Sequence, residues 1–360
     1  MKKKIAVIGA KGFPAFGGAA GANENIVNQL KSSYEYTIYS ISTHTDKKGF
    51  YNGYNQIVFN GAKGKRLNTL VYYLKSLFHA LFFGDYDIVQ VNHLASGFIV
   101  PFLRLRFKVV ATARGIFSKK TDNKWNSLDH LAFELSAHLF CKFSNITVSV
   151  SKPHIDVLKK YTSKQIQYIP NGIHVNQLEK KQGSSGYLLF AASRIILLKG
   201  CHVFLEALNR LNHKGKVIII GDLSHTPKYS AELMSLSKNL NIEYVDLIKD
   251  KNILFNYIKN AEIFIFPSFN EGMSNMLLEV ASLKTPIICS DIPENTAVFN
   301  ENEIEFFKTG DSLDLADKIK YSLENKDVLE KKSENAFAKL NEIYRWEIIA
   351  KEYKKVYDSL

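Results

Sequence analysis

Four consecutive apolar residues, Ile263-Phe264-Ile265-Phe266, stop at Pro267-Ser268, and a helical pattern of Met276, Leu277, Val280, Ala281 and Leu283 follows within ten residues. This arrangement constrains the fold more than any other feature of the chain. A short apolar run closed by a turn reads as a strand buried on both faces, and the 3.6-residue recurrence after it reads as a helix packed on that strand. Ser274 or Asn275 suits the helix N-cap, because either side chain accepts a hydrogen bond from a first-turn N–H. Glu271 then falls in the strand-to-helix loop and Glu279 about one turn into the helix. Both face the carboxyl end of the strand, where open parallel sheets bind ligands. The N–H groups of Gly272, Met273, Ser274 and Asn275 lie between the two acids, beside the positive end of a helix suited to phosphate. Carboxylates accept several hydrogen bonds each, which suits sugar hydroxyls. One loop therefore has the chemistry to hold ribose, diphosphate and hexose together.

Further strand–helix alternations extend this pattern along the chain. Ile5–Ile8, Tyr36–Ser42, Tyr86–Val91, Lys108–Thr112, Asn145–Ser151 and Ile166–Pro170 read as strands of a first sheet. Tyr187–Ala192, Val217–Gly221, Glu243–Leu247, Ile263–Phe266 and Pro286–Ser290 read as strands of a second. Helical segments separate most of them, so the fold class is α/β with two doubly wound domains. Its 360 residues suffice for two cores. The most linker-like stretch is Lys180–Gly186, KKQGSSG. The expected division is residues 1–180, residues 181–343, and a C-terminal helix over 344–360.

The first strand runs into a glycine-rich loop, Gly9–Gly21, and a helix from about Asn23 to Leu30. The loop is neither GxGxxG nor a Walker loop, yet such units bring backbone N–H groups close to phosphate or sugar oxygens. After the second domain's first strand come Arg194 and Lys199, cations suited to a leaving diphosphate: arginine binds it bidentately, lysine as a point charge. His93, Ser96 and Arg114 follow strands of the first domain on the ligand side. Asp85-Tyr86-Asp87 precedes its strand and is assigned no metal.

These motifs resemble those of the retaining GT-B glycosyltransferases, particularly glycosyltransferase family 4. Glu271 and Glu279 match its E-x7-E pattern, Arg194 to Gly200 its R-x4-KG, and Pro170–Ile173 its domain-boundary turn. GAKGFPAFGG resembles the opening of a bacterial subgroup that includes rhamnosyltransferases. The resemblance implies two Rossmann-like domains facing a cleft, with the last helix crossing back to the first domain. It places acceptor binding in the first domain and nucleotide-sugar binding in the second. It also implies that Glu279 binds donor ribose, Glu271 meets the transferred sugar, Arg194 and Lys199 hold the diphosphate, and Gly17 and Gly18 approach it. The chain departs from the family at Arg114, where a histidine near the reacting sugar is usual, at His174, where an acid is usual, and mildly at Ser193. A metal-independent retaining transferase with no cofactor is expected. Its implied acceptor is a polyprenyl-diphosphate-linked saccharide of O-antigen, capsule or lipopolysaccharide assembly. The alternatives are a GT-B nucleotide-sugar epimerase and a non-catalytic scaffold in a polysaccharide assembly complex.

Charge adds a location. Residues 1–180 carry 24 Lys and Arg against 10 Asp and Glu, a balance of +14, whereas the remainder carries 23 against 25. No nucleic-acid module accompanies the excess, so an anionic membrane surface or lipid phosphate is the better partner. Leu67–Phe83 is rich in Leu, Tyr and Phe but, with Lys75 and His79 inside it, is a poor membrane span. Its aromatics belong either to the core or to a lipid interface. Phe102–Lys108, FLRLRFK, reads as an edge or surface strand alternating apolar and basic residues. Three scattered cysteines form neither a disulfide framework nor a zinc site. A cytoplasmic protein docked on the inner membrane leaflet is the expectation.

Overall fold

The computed structural model describes residues 2–15, 18–116, 127–175 and 186–360. The chain divides into one unit of residues 1–172 plus 346–360 and another of residues 173–345. The expected division after residue 180, and all of the 180–186 linker except Gly186, lie outside the described residues.

The first unit contains strands β1 (Lys4–Lys11), β2 (Glu35–Ile41), β3 (Gly49–Tyr51), β4 (Tyr54–Phe59), β5 (Ile88–Asn92), β6 (Lys108–Ala113), β7 (Ile146–Ser149) and β8 (Ile166–Tyr168). They form one sheet in the order β3-β4-β2-β1-β5-β6-β7-β8, parallel except where β3 pairs antiparallel with β4. The β3–β4 hairpin was not foreseen: β3 is only three residues long, and the pair turns on Asn52-Gly53, where both φ angles are positive. Helices α1 (Gly18–Leu30), α2 (Lys65–Phe83), α3 (Val100–Leu103) and α4 (Ser127–Phe143) connect the strands. α1 starts five residues before the expected Asn23. Phe102–Lys108 is not an alternating strand. It ends α3, turns through Arg104–Arg106 and enters β6, with Leu103 and Phe107 buried in the core. Leu and Phe side chains that look alternating in sequence are here split between a helix end and a turn.

In the second unit β9 (Tyr187–Arg194), β10 (Lys216–Asp222), β11 (Asn241–Val245), β12 (Ile263–Phe266), β13 (Ile287–Ser290) and β14 (Glu305–Phe307) form an all-parallel sheet in the order β11-β10-β9-β12-β13-β14. Its inner strands β9, β10, β12 and β13 are buried on both faces over most of their length and read as near-continuous apolar runs, whereas the edge strand β11 is half-exposed. α5 (Cys201–Arg210), α6 (Lys251–Asn260) and α7 (Asn275–Ser282) follow β9, β11 and β12.

α8 (Trp346–Asp358) belongs to the first unit. It buries Trp346, Ile349, Tyr353, Val356 and Tyr357 in the same core as Ile26 and Val27 of α1. A Cβ on Gly172 would come within 2.6 Å of the Trp346 ring, so only glycine lets the chain pass there.

Each sheet reverses direction of growth once, between β1 and β5 and between β9 and β12. In a doubly wound sheet the connections leave to opposite faces at that point. A crevice opens there at the carboxyl ends of the strands. The candidate residues lie around these two points.

Candidate active site

In the second unit the loops after β9 and β12 are held together by backbone. Leu197–Lys199 forms a tight 3₁₀ turn that ends on Gly200 at φ 70°. A Cβ on Gly200 would lie 1.9 Å from the Pro267 carbonyl, so the close approach requires glycine. The Phe269 N–H then donates to the Leu198 carbonyl at 2.9 Å. Below the turn, the His202 ring stacks on Phe269 at 5.7 Å and bonds the Tyr229 hydroxyl through Nδ1 at 2.8 Å. This framework brings two foreseen residues into contact: Lys199 Nζ donates to Glu271 Oε1 at 2.5 Å, with the carboxylate largely buried.

Arg194 closes β9 beside Asp222 of β10. Its side chain is exposed and has no partner among the described residues. On the other side of the loop, Ser274 caps α7 by accepting from the Leu277 N–H at 3.4 Å, as the sequence predicts. Gly272 and Met273 precede the cap, with Met273 buried, and Asn275 opens the helix. Glu279 lies one turn in and is buried. Its carboxylate is ion-paired with Lys251, the first residue of α6.

Lys251 was missed in the sequence. Asp250 caps α6 by accepting from the Asn252 N–H at 2.8 Å. A lysine in the first turn opposes the helix dipole, so Lys251 is better suited to an anion than to its own helix. The only local signal is a cation directly after an N-cap acid; its partner is 28 residues away.

The first unit builds its crevice differently. Gly9, at the switch between β1 and β5, has φ 99°, and a Cβ there would lie 2.6 Å from the Asn92 carbonyl. Gly18 is the first residue of α1, at φ 60°. Gly17 lies outside the described residues. Arg114, directly after β6, is buried and held by three amide oxygens. Nε donates to Asn92 Oδ1 at 3.2 Å, Nη1 to Asn171 Oδ1 at 3.1 Å and Nη2 to Asn23 Oδ1 at 2.8 Å. Gln90 joins this cage through Asn23 and Asn92 and accepts from the Tyr357 hydroxyl of α8. None of the residues bonded to the guanidinium is a carboxylate. Its three side-chain partners are neutral amide oxygens, so no counter-ion among them offsets the guanidinium. The cage draws on residues from positions 23 to 171, which no local pattern reveals.

His93, directly after β5, takes φ 73°, a strained conformation for a residue with a Cβ. Its ring is half-buried and has no hydrogen-bond partner among the described residues. Burial, and then the charges of Arg114 and Lys11, push its pKa down to about 4, so the ring is neutral at pH 7. Ser96 is not available to a ligand in the same way: its hydroxyl donates to the backbone carbonyls of His93 and Asn92. Asp85 and Asp87 are both tied to Lys4: Asp85 through an ion pair at 2.6 Å, Asp87 through the Lys4 N–H.

Relatives and solved structures fit this arrangement. The family described as "Glycosyl transferases group 1" matches residues 176–339, and "Glycosyltransferase Family 4" matches residues 16–177. The chain belongs to the family 4 type of GT-B glycosyltransferases. The capsular polysaccharide biosynthesis glycosyltransferase CapM of Staphylococcus aureus is 23% identical over 61% of this chain and 63% of its own length. The Escherichia coli UDP-Gal:alpha-D-GlcNAc-diphosphoundecaprenol alpha-1,3-galactosyltransferase is 26% identical over 65% of each chain. The matched stretch thus spans less than two thirds of either relative. Sucrose-phosphate synthase from Thermosynechococcus elongatus superposes with a TM-score of 0.83 at 18% identity over 99% of each chain, which establishes the shared GT-B fold.

Proposed function

We propose that this glycosyltransferase moves a sugar from a nucleotide-sugar to a polyprenyl-diphosphate-linked saccharide in bacterial surface polysaccharide assembly, with retention and without a metal. The observation that carries this reading is the second-unit loop pair. Lys199 and Glu271 meet where two neighbouring strands end, beside the capped start of α7 and the paired Glu279 and Lys251. That set matches the needs of a nucleotide-sugar: cations and amides for phosphate, carboxylates for hydroxyls. The second unit is the donor domain and the first the acceptor domain, where His93 and Arg114 border the sugar or acceptor. The name of CapM supports polysaccharide biosynthesis, and that of the E. coli galactosyltransferase supports a nucleotide-sugar donor and a lipid diphosphate acceptor.

In this mechanism the bond from the anomeric carbon to the diphosphate oxygen breaks, and its electron pair leaves with the diphosphate. Arg194, Lys199 and the amides of Gly272 to Asn275 stabilise that developing charge. Glu271 faces the sugar as positive charge grows there. Glu279 holds ribose hydroxyls, exchanging its bond to Lys251 for them. The acceptor oxygen bonds to the anomeric carbon on the face the diphosphate leaves, and its proton passes to a departing phosphate oxygen. Because the acceptor is membrane-borne, the enzyme works in the cytoplasm at the inner leaflet.

The test is a panel of radiolabelled nucleotide-sugars with a lipid-diphosphate saccharide, in EDTA. Transfer in EDTA with a retained anomeric configuration supports the reading. Isomerisation of the donor, no turnover, an inverted product or a metal requirement contradicts it.

A further inference from the structure

The outer face of α2 is apolar where a soluble helix is ordinarily polar. Its buried side carries Tyr72, Tyr73, Ser76 and Ala80, whereas Leu67, Leu70, Leu74, Phe78 and Phe82 stand 45–66% exposed on the other side. At 3.6 residues per turn these five fall within an arc of about 120°. The helix contains no acid, and its exposed polar residues, Arg66 and Lys75, are both cations. Arg66 pairs with Asp129 of α4 at 3.2 Å, and the Arg106 guanidinium donates to the Leu81 carbonyl. One layer is thereby formed, and it also exposes Leu105 at 85% and Leu131 at 67%. Between α2 and the end of β4 lies an open groove of about 640 Å³. Leu74, Phe78 and Phe83 form apolar wall, and Lys48 and Lys75 are its two lysines; no acid lines it.

Scattered exposed leucines need no explanation, but a continuous stripe of this kind marks a docking surface. We propose that this face is a seat for an anionic bilayer, with α2 lying in the headgroup region and its Leu and Phe side chains reaching the acyl boundary. It deepens the reading of a membrane-borne acceptor and rests on it for the choice of membrane. Arg66 is already paired with Asp129, so Lys48 and Lys75, with no acid on α2 itself or in the groove, decide the occupant. A second copy would bring like charges together, whereas anionic lipid complements them. The groove admits one lipid, its phosphate toward Lys48 and Lys75 and its chain along Phe78 and Phe83. Apolar insertion, rather than charge alone, then provides the grip.

The test is flotation of the full chain with phosphatidylcholine vesicles, with and without phosphatidylglycerol, at low and high salt. The wild type should float with the anionic vesicles and less at high salt. The triple variant Leu74→Ser/Phe78→Ser/Phe82→Ser should bind at least roughly tenfold more weakly with unchanged melting temperature and UDP affinity. A wild type that stays in the soluble fraction with anionic vesicles at low salt, or a triple variant that floats equally well, overturns the proposal. So does a wild-type dimer in light scattering that the variant makes monomeric, since a second copy then owns the face. Flotation uses neither donor nor acceptor, so its failure leaves the transferase reading standing, and an absence of turnover leaves the bilayer seat standing.

Discussion

Both units are built on sheets with one switch point, all-parallel in the second and parallel but for β3 in the first, yet they furnish it with opposite chemistry. The second unit gathers ion pairs: two carboxylates, each held by a lysine. The first unit places a caged arginine among neutral amides beside a neutral, strained histidine. Net charge divides the same way, with 26 Lys and Arg against 12 Asp and Glu in the first unit and 21 against 23 in the second. Under the proposed function, a donor would need fixed partners for phosphate and hydroxyls, and the paired charges would hold those partners in place until it exchanges with them. A caged guanidinium cannot swing out to follow a ligand without leaving three amides unbonded. It therefore sets the potential of its crevice rather than gripping by movement.

The largest effect that separates the units lies in turnover. In the proposed mechanism Lys199→Ala removes a cation where charge develops on the leaving group, and kcat should fall by about 10²–10³. Glu271→Gln should also lower kcat more than it raises KM, since it acts on the charge-separated state. Steady-state kinetics with a saturating acceptor reads both. Full activity in both variants would break the contrast, because the second unit's ion pair would then be structural only.

Glu279→Ala should act mainly on donor affinity. Losing a charged hydrogen-bond partner costs on the order of 1.5–3 kcal/mol, which calorimetry with a nucleoside diphosphate measures. An unchanged Kd would show that Lys251, rather than ribose, is the true partner of Glu279.

The smallest effect sharpens the first unit. His93 should titrate near pH 4 in an NMR experiment, and Arg114→Gln should move that midpoint upward by removing a neighbouring charge. Because the folded pKa lies below the unfolded value of about 6.5, the unfolded chain binds more protons in between. Stability from this group is therefore complete above about pH 6.5 and lost as pH falls toward about 4. A midpoint that Arg114→Gln leaves in place would mean the two residues do not sense each other.

The same contrast explains what the sequence reveals. In the second unit the candidate residues sit next to their structural punctuation: apolar strand, Pro-Ser stop, Ser cap, glutamate one turn on. Local spacing therefore places Glu271, Ser274 and Glu279 on one loop and first helical turn, the resemblance singles out Lys199, and Lys251, whose partner is distant in sequence, escapes both. In the first unit the cage unites Asn23, Asn92, Arg114 and Asn171 through tertiary packing alone. Only their separate positions after strands and at turns are visible beforehand. The α2 face is ambiguous for a related reason. Its pattern supplies enough apolar residues for both sides of the helix, so composition cannot say which side is covered.

The division of labour between the units is tested most directly by hydrogen exchange with a saturating nucleoside diphosphate. The account predicts slowed exchange over residues 194–200, 250–252 and 271–279, with 88–93 and 108–114 unchanged. Protection over 88–114 with none over 271–279 would contradict it, because the donor would then lie against the caged arginine.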